Sequence, residues 1–299
     1  MVNDIVFSSV GDFGNKKNRI KNILSMIKES NADFFLALGD FFYKKNKAIE
    51  WINLSNQEET LKHLFEEDIY PIIGNHDDTE KKSPKSLKDI INAFKGDGNI
   101  RENGYYYFKR ENILFIMLYT RKKLQSGGPM HSFVKKILDE NKDDPDIKWR
   151  IICYHKPSVT TKGDHHEPEK IIQEHYHNIF DKYKVDVILA GHNHNFSLTH
   201  PIDHTTSPDG SKPRVIDSSG GPIYNNVNGR IFITIGTGGK SLRSIDVKNR
   251  HYPNNDHINK TIEEFGIVLF ELNDNGNRLD CRFIYENGSG DENLFSIIK

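Results

Sequence analysis

Five short apolar runs in this chain each stop at polar residues that are richer in metal-binding chemistry than a turn requires. Residues 5–10 run into Gly11-Asp12-Phe13-Gly14, and residues 34–38 into Gly39-Asp40-Phe41-Phe42-Tyr43. Residues 69–73 run into Gly74-Asn75-His76-Asp77, residues 150–154 into His155, and residues 185–190 into Gly191-His192-Asn193-His194. Runs of this length read as buried strands, and in open α/β sheets ligands gather outside the carboxyl ends of strands. Glycine stands directly before the candidate ligand in four of these five places, which suits a tight turn and a close backbone approach. Carboxylate, amide and phenol oxygens mixed with imidazoles, without thiolate, suit Fe(III), Mn, Zn or a mixed pair better than a soft-metal site.

The intervening sequence is helical in the front half. Ile20, Ile23, Leu24 and Ile27 fall at i, i+3, i+4 and i+7. Further helices are expected over residues 57–65, from Ser83-Pro84 to Phe94, around Phe133–Leu138, and over 170–183. Residues 105–108 and 113–119 read as a hairpin, and strands at 196–201, 230–235, 267–272 and 280–285 dominate the back half. Two stretches rich in Gly, Pro, Asn and Ser, residues 203–229 and 241–264, read as loops. With no repeat and no linker between separate cores, one α/β domain over residues 1–299 with a pair of mixed sheets is the simplest expectation.

Composition removes several classes. A net charge of −1 is no nucleic-acid footprint, and two cysteines, Cys153 and Cys281, cannot make a disulfide scaffold. No apolar run approaches the roughly 18 residues of a membrane span. Asp4 interrupts the amino-terminal apolar stretch and leaves no room for a removable leader. The sequence as it stands reads as cytoplasmic, or as secreted, lysosomal or vacuolar if a leader was trimmed.

Taken together and in order, GDFG, GDFFY, GNHD, the Tyr154-His155 pair and GHNH resemble the five metal-binding blocks of the purple acid phosphatases, members of the calcineurin-like metallophosphoesterases. The compact GHNHN ending looks most similar to the short, tartrate-resistant mammalian type. The segment Ile235-Gly236-Thr237-Gly238-Gly239 and the last strands resemble that family's C-terminal sheet. The resemblance implies a four-layer α/β/β/α sandwich of two mixed sheets flanked by helices. It also implies a binuclear centre of Fe(III) plus a divalent Fe, Zn or Mn. Asp12, Tyr43 and His194 would hold the ferric ion, Asn75, His155 and His192 the divalent one, and Asp40 would bridge them. His76 and either His165 or His166 would face the substrate. Phe196 stands where many plant members have Tyr, which puts their specificity-loop contacts in doubt here.

The implied activity is acid hydrolysis of phosphate monoesters by in-line attack of a metal-bound hydroxide, releasing inorganic phosphate, in a monomer that takes no nucleic acid. Two cations about 3.5–4 Å apart can clamp the entering and leaving oxygens, and histidines can protonate the leaving alkoxide. Two other readings stay open: a Mn- or Zn-dependent phosphodiesterase or phosphoprotein phosphatase, and a non-catalytic scaffold on the same fold. The blander alternatives are ordinary turn aspartates at Asp12 and Asp40 and a core tyrosine at Tyr43. His175, His177, His200 and His204 read as surface residues or as supports behind the ligands, Cys153 as a buried small hydrophobe, and Lys44-Lys45 as a solvated or anion-steering pair. Two decoys fail. Asp12-Phe13-Gly14 lacks the kinase catalytic loop before it, and Gly239-Lys240-Ser241 lacks the first glycine of a P-loop.

Overall fold

The computed structural model describes residues 2–14, 16–41, 43, 68–77, 104–119, 127–161, 167–245 and 255–299. Two seven-stranded mixed sheets stack face to face. In the first, β1 (Ile5–Val10), β2 (Phe34–Ala37) and β3 (Ile69–Pro71) run parallel. On the other side of β1 lie the antiparallel β14 (Gly266–Asn273), β15 (Arg278–Tyr285) and β16 (Asp291–Ile298), with β11 (Ile223–Asn225) at the edge. In the second sheet β5 (Ile113–Met117), β6 (Trp149–Cys153), β7 (Val187–Ala190) and β12 (Ile231–Ile235) are parallel neighbours. Beyond them β4 (Tyr106–Arg110) pairs antiparallel with β5, and β8 (Phe196–Thr199) and β13 (Ile258–Ile262) follow β12. A small ribbon pairs β9 (Ile202–Asp203) with β10 (Arg214–Val215).

The parallel strands are apolar along their whole length because they are covered on both faces. Between the sheets, Phe7 of β1 stacks on Phe34 and Phe270 at 5.1 and 4.8 Å and meets Phe115 of the opposite sheet edge-on at 5.3 Å. Such offset and edge-to-face pairs add about 0.5–1.5 kcal/mol each beyond area burial. Helix α1 (Lys17–Glu29) turns Ile20, Ile23, Leu24 and Ile27 into this core, on the side of β14. The second sheet's outer residues Leu114, Ile116, Ile152 and Ile188 pack with α2 (Pro129–Glu140) and α3 (Lys170–Lys182). The layers are therefore helix, sheet, sheet, helix, the α/β/β/α sandwich expected.

Helices α1, α2 and α3, the hairpin at β4–β5 and the anticipated strands all form, with boundaries moved by a few residues. Those expected over 57–65 and 83–94 lie outside the described residues, as do Lys44 and Lys45. Two loops need correction. Residues 203–229 contain β10 and β11, and residues 241–264 contain β13. These strands are short or lie at a sheet edge, where polar side chains face solvent and the apolar alternation fades. Both cysteines are buried and unpaired. Among the described residues no helix is long and apolar enough to cross a membrane.

Candidate metal centre

The carboxyl ends of β1, β2 and β3 from one sheet and of β6 and β7 from the other meet at one end of the sandwich, and the five sequence blocks meet with them. Asp12 and Asp40 both take left-handed backbone, with φ of 64° and 55°. Their loops are laced together: the Asp12 N–H donates to the Gly39 carbonyl at 3.0 Å and the Phe13 N–H to that of Asp40 at 3.2 Å. His192, also left-handed at 69°, donates its backbone N–H to Asp12 Oδ2 at 2.6 Å. Non-glycine residues rarely hold positive φ, and where they cluster the surrounding contacts must fix them.

Two sets of donor atoms result. In the first, the Tyr43 hydroxyl donates to Asp12 Oδ1 at 2.8 Å, and His194 Nε2 lies 3.3 Å from that hydroxyl and 3.6 Å from Asp12 Oδ1. In the second, His155 Nε2 lies 3.2 Å from Asn75 Oδ1 and 3.3 Å from Asp40 Oδ1. His192 joins this second set: Asp40, His155 and His192 each offer one ligand atom, all within 4.8 Å of one another. The rings of His155 and His192 sit 5.2 Å apart. Adjacent ligands about 2.0–2.1 Å from one ion lie about 3 Å apart, close to the 2.8–3.6 Å of the first set and to the 3.2–3.3 Å between His155, Asn75 and Asp40 in the second.

The chemistry of the donors also fits a cation. His155 Nδ1 is 2.7 Å from the Leu38 carbonyl, so that nitrogen carries the proton and Nε2 turns a lone pair toward two oxygen acceptors. Such a convergence of electron pairs is stable only around a proton or a metal. The electrostatics of the four groups point the same way. Burial pushes Asp12 up to about 7, with Asp40 adding to it against the pull of His155. Asp40 is held below the usual carboxylate range, because His155 beside it outweighs the cost of burial. His155 in turn rises to about 9 against its own burial, through Asp40. Burial and the two aspartates push the Tyr43 phenol far up. A bound cation would reverse these shifts for Asp12, His155 and Tyr43 and would hold Asp40 lower still.

His76 stands at the mouth. Its side chain is 46% exposed, its ring lies 4.3 Å from that of Tyr43, and its backbone N–H donates to Asp40 Oδ1 at 2.7 Å. His165 and His166 lie outside the described residues.

Sequence reasoning passed over Asp77, although it belongs to the third block. Buried to 1% exposure, it accepts the N–H groups of Asp40 at 2.7 Å, Phe41 at 2.8 Å and Gly74 at 2.9 Å, and so ties the second and third loops together. His177 and His204 also need correction, since neither is at the surface. His177 contacts Ser158 Oγ at 2.7 Å and the Gly210 carbonyl at 2.8 Å, and its ring lies 4.0 Å from that of the buried His204. A signal existed: Gln173, Tyr176, His177 and Phe180 repeat at helical spacing along the buried face of α3.

Comparison with known proteins agrees with this geometry. The calcineurin-like phosphoesterase family matches residues 7–196, which takes in all of these blocks. The chain belongs to the calcineurin-like phosphoesterase family. It is 28% identical over 116 residues to an uncharacterized protein of Mycobacterium tuberculosis, covering 39% of this chain and 22% of that one. To the Fe(3+)-Zn(2+) purple acid phosphatase 12 of Arabidopsis thaliana it is 25% identical over 137 residues, 46% of this chain and 28% of the plant protein. The matched segments thus span less than a third of the length of these two relatives. A solved purple acid phosphatase from yellow lupin shares its fold at a TM-score of 0.79 and 19% identity, over 100% of this chain and 54% of the lupin chain.

Proposed function

We propose that this phosphoesterase is a phosphatase of the purple acid type, hydrolysing phosphate monoesters at a binuclear centre and working as one catalytic domain over residues 1–299. The observation that carries the reading is Tyr43, whose hydroxyl reaches both Asp12 and His194. A phenol belongs in a ligand set for a strongly Lewis-acidic ion, and a Zn or Mn phosphoesterase has no need of it. In this reading Asp12, Tyr43 and His194 would hold Fe(III), Asn75, His155 and His192 would hold a divalent Fe, Zn or Mn, and Asp40 would serve both. When bound, the metal pair supplies a water of lowered pKa and neutralises charge on the phosphoryl oxygens.

The chain's own groups do the remaining work. The Leu38 carbonyl fixes the His155 tautomer so that Nε2 faces the centre. The His192 N–H occupies Asp12 Oδ2 and leaves Oδ1 directed at Tyr43 and His194. His76, exposed and resting on the Tyr43 ring, is placed to donate a hydrogen bond to a phosphoryl oxygen and a proton to the leaving alkoxide; His165 or His166 would share that role. The substrate is a phosphate monoester, the product inorganic phosphate, and the active form a monomer that takes no nucleic acid.

The test is a visible spectrum with metal analysis on the purified protein beside Tyr43→Phe, followed by monoester and diester hydrolysis from pH 4 to 8. A charge-transfer band lost in Tyr43→Phe, two metals per chain, and monoester turnover favoured in acid are expected. Colourless protein with two Zn or Mn and diester turnover near neutrality would replace this reading with the neutral phosphoesterase. Failure to take up metal under any loading would leave the scaffold.

A further inference from the structure

The loop after β12 was noticed in the sequence only as a near-miss to a phosphate loop and as part of the resemblance to a C-terminal sheet. In the structure it touches each of the three residues in one half of the centre. The Gly238 N–H donates to the Gly11 carbonyl at 2.9 Å and the Lys240 N–H to that of Asp12 at 2.8 Å. The Arg243 N–H donates to the His194 carbonyl at 2.9 Å. The backbones are in close contact: a Cβ built on Gly14 would lie 2.8 Å from the Lys240 Cα, and one built on Gly239 would lie 2.6 Å from the Phe13 carbonyl oxygen. From this anchored backbone the Lys240 side chain extends to Tyr43, its ammonium 4.4 Å from the ring centroid. Lys240 is half-buried, and among the described residues that ring is its ammonium's partner, with no carboxylate paired to it.

We propose that Lys240 is a positioning residue of the metal centre, its ammonium holding the Tyr43 ring in place while its loop braces Asp12 and His194. The inference rests on the reading of Tyr43 as a metal ligand. Tyr43 follows its strand at a distance and, unlike Asp12, is not held among the described residues by a backbone hydrogen bond given by its neighbours in the centre. A cation over an aromatic face supplies the missing restraint without blocking the hydroxyl, which stays directed at Asp12 and His194. The brace acts on the Asp12–Tyr43–His194 half, so its loss should be felt there rather than at Asn75 and His155.

The experiment compares the metal-loaded full chain with Lys240→Met, which keeps the length and removes the charge, and with Lys240→Arg, which restores a cation. In Lys240→Met, iron should leave faster to a chelator by about 2- to 30-fold, the equivalent of about 0.5–2 kcal/mol at 1.36 kcal/mol per decade. Release of the divalent ion should stay unchanged. The charge-transfer band should move to longer wavelength, because the ammonium lowers the energy of the phenolate electrons that the transition promotes. Lys240→Arg should restore both. An unmoved band with unchanged iron release would overturn the proposal, and so would equal acceleration for both ions, the mark of general loosening. If the parent protein has no band, the ferric reading of Tyr43 fails separately. Lys240 is then judged in the zinc-loaded parent by proton NMR, where ring currents should carry its ε-methylene signal upfield, and an ordinary position would overturn the proposal.

Discussion

Replacing Asp77 with alanine should cost more stability than its single carboxylate suggests, and the loss should appear before any metal is added. The carboxylate accepts three backbone N–H groups, from Asp40, Phe41 and Gly74, in a place where water does not reach. Hydrogen bonds to a charged group are worth about 1.5–3 kcal/mol each, so three give a ceiling of about 4.5–9 kcal/mol. Removing the carboxylate also returns the several kcal/mol spent on desolvating it. A net loss of about 3–5 kcal/mol remains, at the top of the range for a point mutation. For a chain of this size that corresponds to a fall in Tm of roughly 6–20 °C. The assay is thermal unfolding of metal-free Asp77→Ala and Asp77→Asn beside the parent, so that ion binding does not contribute. The asparagine keeps one acceptor but turns its NH2 toward a backbone donor, and should recover only a small part. On metal loading both variants should hold less of both ions, since Asp40 and Asn75 stand on the two loops that Asp77 joins. A metal-free Tm for Asp77→Ala within about 2 °C of the parent would refute this reasoning, because three orphaned buried N–H groups cannot be that cheap.

Other expectations follow from single contacts. His76→Ala should retain both metals and lose about 10²–10³ in turnover, the scale of one transition-state donor; equal turnover removes His76 from the mechanism. His155→Ala should instead empty the divalent position, read by metal analysis, and full occupancy would refute its assignment. Gly74→Ala should lower metal content although Gly74 needs no unusual φ, because the added Cβ would fall 2.2 Å from Asp40 Oδ1; a variant that binds both ions as the parent does would show that Asp40 can yield. Burial lowers His177 to about 4 despite its bond to the Gly210 carbonyl. The folded protein therefore binds fewer protons here than the unfolded chain, and this contribution is intact above pH 6.5 and lost as pH falls toward 4. The stake is about 3 kcal/mol, and His177→Gln should flatten the dependence of Tm on pH across that window; an unchanged slope would clear His177.

How much of this was legible depended on whether a residue acts through its own side chain or through someone else's backbone. Asp12, Asp40, Asn75, His155, His192 and His194 declared themselves, because each is a polar residue placed where an apolar run stops, and the structure brings them to one place. Tyr43 was legible only beside them, as the last of an aromatic run. Asp77 gave no signal beyond its place in a block, since what it accepts are N–H groups that every residue carries. The brace after β12 was equally hidden, because its contacts run from backbone to backbone and its lysine resembles any solvated one until the ring beneath it is seen. The strands β10, β11 and β13 failed for a different reason: a strand of two or three residues, or one at an edge, has no buried face long enough to impose alternation.

The glycines before the ligands show where a correct location had an incomplete reason. The sequence pattern suggested that glycine opens space for whatever is bound, yet the space is taken by other ligands. A Cβ on Gly191 would lie 2.8 Å from Asp12 Oδ2, as one on Gly74 would crowd Asp40. Gly74 and Gly191 give up a side chain so that a carboxylate from a neighbouring loop can enter, and three of the candidate ligands take left-handed backbone. Strain of that kind costs about 1–3 kcal/mol per residue and persists only where the surroundings dictate it. Here the surroundings are mostly peptides of the same loops: Asp12 is held through Gly39 and His192, and Asp40 through Phe13, His76 and the Asp77 carboxylate. The candidate ligands are thus carried on loops of two sheets that hold one another's backbones. A cation binding there would have to displace the proton that His155 holds beside the Asp40 carboxylate.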